Sequence, residues 1–305
     1  MTAAVTATAA VHSAAESPVR RLLSDFAASK SAVLGAVVFT VLMLLAAFAS
    51  FVAPQDPYDL AQLDIMDGRL PPGSLNGAGT MTYWLGTDAQ GRDMLSGILY
   101  GMRISLVVGV GSAMVAAILG TLIGVIASYA GGRTDTLIMR LVDLQMSIPT
   151  ILVALMILTI LGKGMLNVVV ALVIVEWAYY ARTVRGSALV EMRREYIEAA
   201  HCLGLRPMRI MLRHLLPNCL APLIVVATMQ VAHAIALEAT LSFLGLGVPI
   251  TEPSLGLLIS NGFSYMMSGK YWISVYPGLV LLIMIVAINL VGDHLRDLLN
   301  PRLQK

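Results

Sequence analysis

The chain has 305 residues, of which 58% are hydrophobic and only 12% charged, with a mean hydropathy of +0.81. A soluble domain carries about 25% charged residues to make its polar skin, so a chain this poor in charge is solvated mostly by lipid. The net charge of +2 gives no basis for nucleic-acid binding, and two cysteines, Cys202 and Cys219, offer neither a disulfide framework nor a zinc site.

In chain order, Met1 to Ser17 is rich in alanine, threonine and serine and reads as a disordered tail. Six apolar stretches then have the length and composition of membrane helices: Ser31–Ala53, Ile104–Tyr129, Leu137–Leu161, Met165–Ala181, Ala221–Leu241 and Val275–Leu290. Backbone groups in lipid must be satisfied within a segment, so an all-α integral membrane protein with six transmembrane helices is expected. With the N-terminus on the cytoplasmic side, 15 of the 20 lysines and arginines fall on inner segments, and both ends are then inside.

This divides the chain into a cytoplasmic tail over 1–30, a transmembrane domain over 31–293 and a second cytoplasmic tail over 294–305. Within the domain, 54–102 is an extracytoplasmic loop carrying Asp56, Asp59, Asp64 and Asp67 and a Pro71-Pro72-Gly73 turn. The loop over 182–216 is internal, basic and amphipathic, and Ser242–Ser274 reads as an outer, partly re-entrant loop rich in glycine and proline.

The inner loop carries the most information. Glu195 to Leu203 reads as a short helix with Tyr196, Ala199, Ala200 and Leu203 on one face, and Gly204 stands where a left-handed terminus wants glycine. A second helix enters through Pro207, shows Met208, Met211, Leu212 and Leu215 on one face, and ends at Pro217. Two readings fit the first helix: it docks on a partner, or it rests on lipid headgroups with its arginines snorkelling.

Glu198-Ala199-Ala200, Gly204 and Leu216-Pro217 resemble the EAA loop of ABC-importer permeases. Arg213-His214-Leu215-Leu216-Pro217-Asn218 is similar to the variant found in the peptide and nickel permeases. Four further blocks match that branch in order. They are Gly86-Thr87-Asp88 with Gly91-Arg92-Asp93, then Tyr129-Ala130-Gly131-Gly132 through Ser147-Ile148-Pro149, then Glu238 to Gly247, then Asn289 to Asp293 with Asn300-Pro301-Arg302. Gly97, Leu255 and Asn300 depart from the usual pattern, which cautions against importing a cargo from any one relative.

The resemblance implies the type I importer-permease fold of the bacterial inner membrane and the second, C-type permease of a dipeptide, oligopeptide or nickel system. It implies a second permease, two ATP-binding cassette subunits holding ATP and Mg, and an extracytoplasmic substrate-binding protein as partners. No cofactor is expected on this chain. Tyr196, Glu198, Ala199, Ala200, Leu203, Gly204 and Pro217 become the ATPase-coupling residues, and nickel chelates, opines or glutathione remain alternative cargoes. Lys163 lies in Gly162-Lys163-Gly164, and no GxxxxGK[ST] phosphate loop exists, so ATP hydrolysis must come from another chain.

Charged groups inside spans are functional candidates by default. Glu176, in the fourth predicted span, either lines the pathway, pairs across the bundle, or sits near an interface beside Trp177, Tyr179 and Tyr180. His233 is expected to pack, Gly120 and Gly124 to permit close helix contact, and the 18 methionines to fill the core. A membrane-embedded enzyme is the other class of reading, and it lacks an HExxH motif, a nucleophile motif and a mid-membrane aspartate pair.

Overall fold

The computed structural model describes residues 24–59, 63–249 and 252–299. The expected N-terminal tail lies almost wholly outside the described residues, as does Asn300-Pro301-Arg302.

Helix α1 (Lys30–Ala47) starts where the Ser29 side chain accepts the amide of Ala32, and the short α2 (Ala49–Val52) continues it. The following loop holds a 3-10 turn (Ile65–Asp67) and a two-stranded antiparallel hairpin, β1 (Ser74–Leu75) with β2 (Thr82–Tyr83), so the all-helical expectation has one small exception. Asp93 then caps α3 (Met94–Ala130), its carboxylate accepting from the amide and the hydroxyl of Ser96 at 2.8 and 2.7 Å. A capping carboxylate at a helix N-terminus satisfies an orphan amide and opposes the positive end of the dipole. The expected 54–102 loop therefore ends at Asp93, and 94–102 form the buried start of α3.

The third expected span is not one helix. It is α4 (Gly132–Ser147) followed by α5 (Thr150–Leu161), bent by 93°. Pro149 has no amide hydrogen to bond back into α4, and its ring forces Ile148 into an extended conformation (φ −96°, ψ 134°). Helix α6 (Met165–Glu191) runs ten residues past the predicted end at Ala181. Helix α10 (Leu220–Phe243) and α12 (Trp272–Leu299) complete the set: among the described residues five helices are long and apolar enough to cross a membrane, six if the bent pair counts as one span.

The expected re-entrant stretch contains α11 (Leu255–Phe263), capped by the Ser254 hydroxyl on the amide of Leu257 at 3.2 Å. It sinks into the bundle, where a Cβ on Gly256 would lie 2.1 Å from the carbonyl oxygen of Ala239. Helices α3 and α6 also approach closely at two positions: a Cβ on Gly120 would meet the Trp177 carbonyl at 2.3 Å, and one on Gly124 the Ala181 carbonyl at 2.6 Å. Small residues let backbones come this near, and dispersion at short range replaces the hydrophobic drive that lipid removes.

The largest core, with Ile98, Met102, Ile235, Leu258, Ile273 and Met284, joins α3, α10, α11 and α12. A second, built on Leu158, Leu172, Val175 and Leu241, joins α5, α6 and α10.

Candidate functional site

Beyond α6 the chain turns through Arg193 and Arg194 into α7 (Glu195–Cys202). Glu195 and Glu198 occupy its first turn, where negative charge suits the helix dipole, and His201 its last. Its end is a Schellman motif. The amide of Leu205 donates to the Ala200 carbonyl at 3.2 Å and that of Gly204 to the His201 carbonyl at 2.9 Å, with Gly204 at φ +66°.

The helix is seated by Ile197 and Ala200, which pack with Ile210, Leu205 and Tyr129 at the end of α3. His201 lies parallel to the Tyr129 ring at a centroid distance of 6.1 Å, and its Nε2 is 3.5 Å from the tyrosine hydroxyl. Tyr196, Glu198, Ala199, Leu203 and Gly204 point outward, with Leu203 78% exposed. The expected single face of Tyr196, Ala199, Ala200 and Leu203 is thus divided. Ala200 turns inward with Ile197, because Ile197 offers the larger apolar side chain to bury, while the other three remain at the surface. The Tyr196 hydroxyl donates to Glu191 at 2.7 Å, and burial with this bond pushes its pKa up to about 12.

The second inner helix also differs from expectation. It starts at Pro207 as α8 (Pro207–Arg209), widens to a π-helical stretch over Ile210–Leu215, and continues into α9 (Leu216–Asn218). Pro217 does not end the helix but sits in the first turn of α9, exposed. A wider ladder upstream suits a proline that offers no amide hydrogen. Met208, Met211, Leu212 and Leu216 lie over Thr121, Leu122, Val125 and Ile126 of α3, around a cavity of about 70 Å³.

Ion pairs brace this end of the bundle. Arg185 of α6 forks onto Asp135 of α4, and Arg182 pairs with Asp143. Farther along α6, the Gln145 side chain donates to the carbonyls of Ile174 and Val175.

Inside the bundle, Glu176 is fully buried and its Oε1 lies 3.5 Å from Nδ1 of His233 on α10. Sequence reasoning expected His233 only to pack; instead it faces Glu176, across 57 positions of sequence that no periodicity connects. Glu238, in the sequence the head of the block that runs to Gly247, accepts from Ser105 of α3 and from Ser242, both at 2.7 Å, and so ties α3 to α10. Among the described residues, no group of three or more His, Cys, Asp or Glu could hold a metal ion.

Residues 120–305 match the family described as the binding-protein-dependent transport system inner membrane component, and residues 17–72 match the N-terminal transmembrane domain of oligopeptide transport permease C. The chain belongs to the dipeptide and oligopeptide branch of the ABC-importer permeases. It is a multi-pass protein of the bacterial inner membrane.

This permease is 38% identical over 288 residues to the di/tripeptide transport system permease protein DppC of Pseudomonas aeruginosa, covering 94% of this chain and 93% of that one. It is 36% identical over 292 residues to the dipeptide transport system permease protein DppC of Haemophilus influenzae, with 96% and 97% covered. The Escherichia coli K12 protein of the same name is 38% identical over 288 residues, with 94% of each chain covered.

Among solved structures, the permease resembles the inward-facing MetNI methionine ABC transporter with a TM-score of 0.56 at 23% identity, over 68% of this chain and 98% of that one. That likeness identifies the fold as the type I importer permease.

Proposed function

We propose that this permease is one of two membrane subunits of an ATP-driven importer of dipeptides and short oligopeptides, and that α7 is the helix through which two ATP-binding cassette subunits drive it. The observation that carries the reading is the mounting of α7. Ile197 and Ala200 fasten it to the end of α3, and its other face leaves the side chains of Ala199 and Leu203 exposed beside Tyr196, whose hydroxyl is held by Glu191 of α6. A helix so mounted transmits a push on its outer face directly to a membrane span. The peptide cargo is supported by the relatives, which are permeases of dipeptide and di/tripeptide transport systems.

On this reading ATP and Mg reside on the ATPase subunits, and this chain carries no catalysis of its own. The basic end of the bundle, with Arg182, Arg185, Arg206 and Arg209, lies in the cytoplasm together with both termini. A second, non-identical permease completes the pore, and a substrate-binding protein delivers cargo to the opposite end, which bears the β1–β2 hairpin. Glu176 belongs to the pathway. Binding of ATP shifts the pore between its states only as far as the ATPase subunits prefer one arrangement of α7 over another.

The test is co-purification of the tagged chain from mild detergent, with mass spectrometry of what comes with it. A second permease and Walker-motif ATPases are expected. Recovery of the stable chain without any ATPase would defeat the coupling assignment.

A further inference from the structure

A carboxylate in the middle of a membrane is expensive unless something meets it. Glu176 is fully buried, and neither of its oxygens receives a hydrogen bond among the described residues. The positive-capable side chain that faces it is His233, at 3.5 Å, 41% exposed although its Nδ1 is buried. Tyr180, one turn along the same face of α6, and Gln230, three residues before His233 on α10, each bury a polar atom without a partner. Each unsatisfied group at this depth costs several kcal/mol, so two donors and an acceptor-only carboxylate stand here awaiting partners.

The same helix faces continue into an open space. Glu176, Tyr180, Thr183 and Ser187 follow one another at spacings of four, three and four residues, which makes them one stripe of α6. Thr183 and Ser187 line a groove of about 710 Å³ with Glu191, Asn218 and Arg296, and its α10 side, with Val225, Val226 and Met229, is apolar. That volume is within the roughly 300–1,000 Å³ of sites for small organic ligands. Met229 stands one helical turn from His233, so the Glu176–His233 pair lies on the same two helices, one turn beyond the residues that line the groove. One polar wall and one apolar wall suit a peptide, whose backbone is constant in its hydrogen bonds and whose side chains vary. A carboxylate without donors suits the positive end of that peptide.

Resting on the peptide-importer reading above, we propose that Glu176 and His233 are a substrate-contact pair: when α6 and α10 part, the Glu176 carboxylate takes the ammonium terminus of the passing peptide in place of the imidazole. Tyr180 and Gln230 then donate to peptide carbonyls, and the apolar wall accepts side chains of differing size.

The experiment uses the whole transporter, with both permeases, ATPase subunits and binding protein, in proteoliposomes. Uptake of labelled dialanine is measured per ATP hydrolysed for the wild type, Glu176→Gln, Glu176→Asp and His233→Gln. Glu176→Gln is expected to lower that ratio about tenfold, the scale of one charge-assisted hydrogen bond, with Glu176→Asp recovering part of it. A second readout needs no transport: Ser187→Cys in a Cys202→Ser chain is expected to react with a polar maleimide, and dialanine to slow the reaction when ATP cycling is allowed.

An unchanged uptake ratio in Glu176→Gln overturns the proposal, as does a Ser187→Cys that no polar reagent reaches. Loss of assembly with the second permease in both Glu176 variants also overturns it, since the pair would then join subunits. A wild-type complex that assembles and hydrolyses ATP but moves no peptide sinks the importer reading, and the proposal with it, without any variant being involved.

Discussion

Arg185 holds both carboxylate oxygens of Asp135, Nε donating to Oδ1 at 2.9 Å and Nη2 to Oδ2 at 2.6 Å. The fork joins α4 to α6 at the end of the bundle that carries α7, and the two side chains are only 33% and 16% exposed. Paired donors in a fixed plane are something arginine offers and lysine does not. A double-mutant cycle of Arg185→Gln and Asp135→Asn, read from thermal unfolding in detergent, should give a coupling of about 1–2 kcal/mol, above the range for exposed pairs. Arg185→Lys should recover less than half of it. A coupling near zero would reduce the fork to a surface contact.

The α3–α6 contact makes a steric prediction with a built-in control. A methyl at Gly120 would meet the backbone of Trp177 at 2.3 Å, so the helices must separate to admit it. Gly120→Ala should destabilise the chain by about 1–3 kcal/mol, the usual cost of overpacking a close contact. Gly111, on the same helix, has nothing within 4 Å of its Cβ position. Gly111→Ala should be neutral or stabilising by up to about 1 kcal/mol through helix propensity. Equal effects of the two changes would mean that the packing at Gly120 is looser than the geometry indicates.

The hairpin outside the bundle is pinned by Asp67, which accepts from the amide of Gly77 at 3.0 Å and from the Tyr83 hydroxyl at 3.0 Å. Burial, and then the Asp67 carboxylate itself, raise the Tyr83 pKa well above 10.0. A phenol whose pKa is raised on folding contributes stability that is fully present below its unfolded value and is lost as pH climbs through the folded value. Protease resistance of the 74–83 hairpin should therefore hold steady up to about pH 10 and decline above it. Tyr83→Phe should lower that resistance by about 1 kcal/mol at neutral pH and remove the alkaline decline. An unchanged decline in Tyr83→Phe would assign it to another group.

Much of this architecture is legible in the sequence because lipid imposes a length and a composition on every span. The starts and ends that depend on polar chemistry are less so. Helix α6 continues to Glu191 through Arg182 and Arg185, where hydropathy falls although the helix does not, because ion pairs to Asp135 and Asp143 replace lipid as the supporting surroundings. Pro149 was visible inside an apolar run, and the run's length outweighed the break that its ring imposes. At α7 the glycine terminus could be read from Gly204, since few residues adopt a positive φ. The inward face could not, because Ile197 and Ala200 compete with Tyr196 and Ala199 for it at the same helical spacing. Glu176 was marked by its depth, whereas its partner His233 belongs to a helix whose rotation only the assembled bundle sets.

Substitutions at Gly204 test the coupling proposal separately from folding. At φ +66° its Cβ position has nothing within 4 Å, so a side chain there meets backbone strain but no neighbour in this chain. Gly204→Ala should cost about 1 kcal/mol of local stability and leave insertion and most of the uptake intact. Gly204→Asp costs no more in backbone terms, since aspartate tolerates the left-handed region comparatively well. It does set a carboxylate beside Leu203, on the face that the coupling proposal offers to the ATPase, where an apolar contact would have to bury an unpaired charge. The chain should therefore insert and pair normally while peptide uptake by the reconstituted transporter is abolished. Uptake by Gly204→Asp equal to that of Gly204→Ala would show that nothing docks closely at this end of α7, and the helix would then be a lipid-facing support rather than the site where ATP hydrolysis is felt.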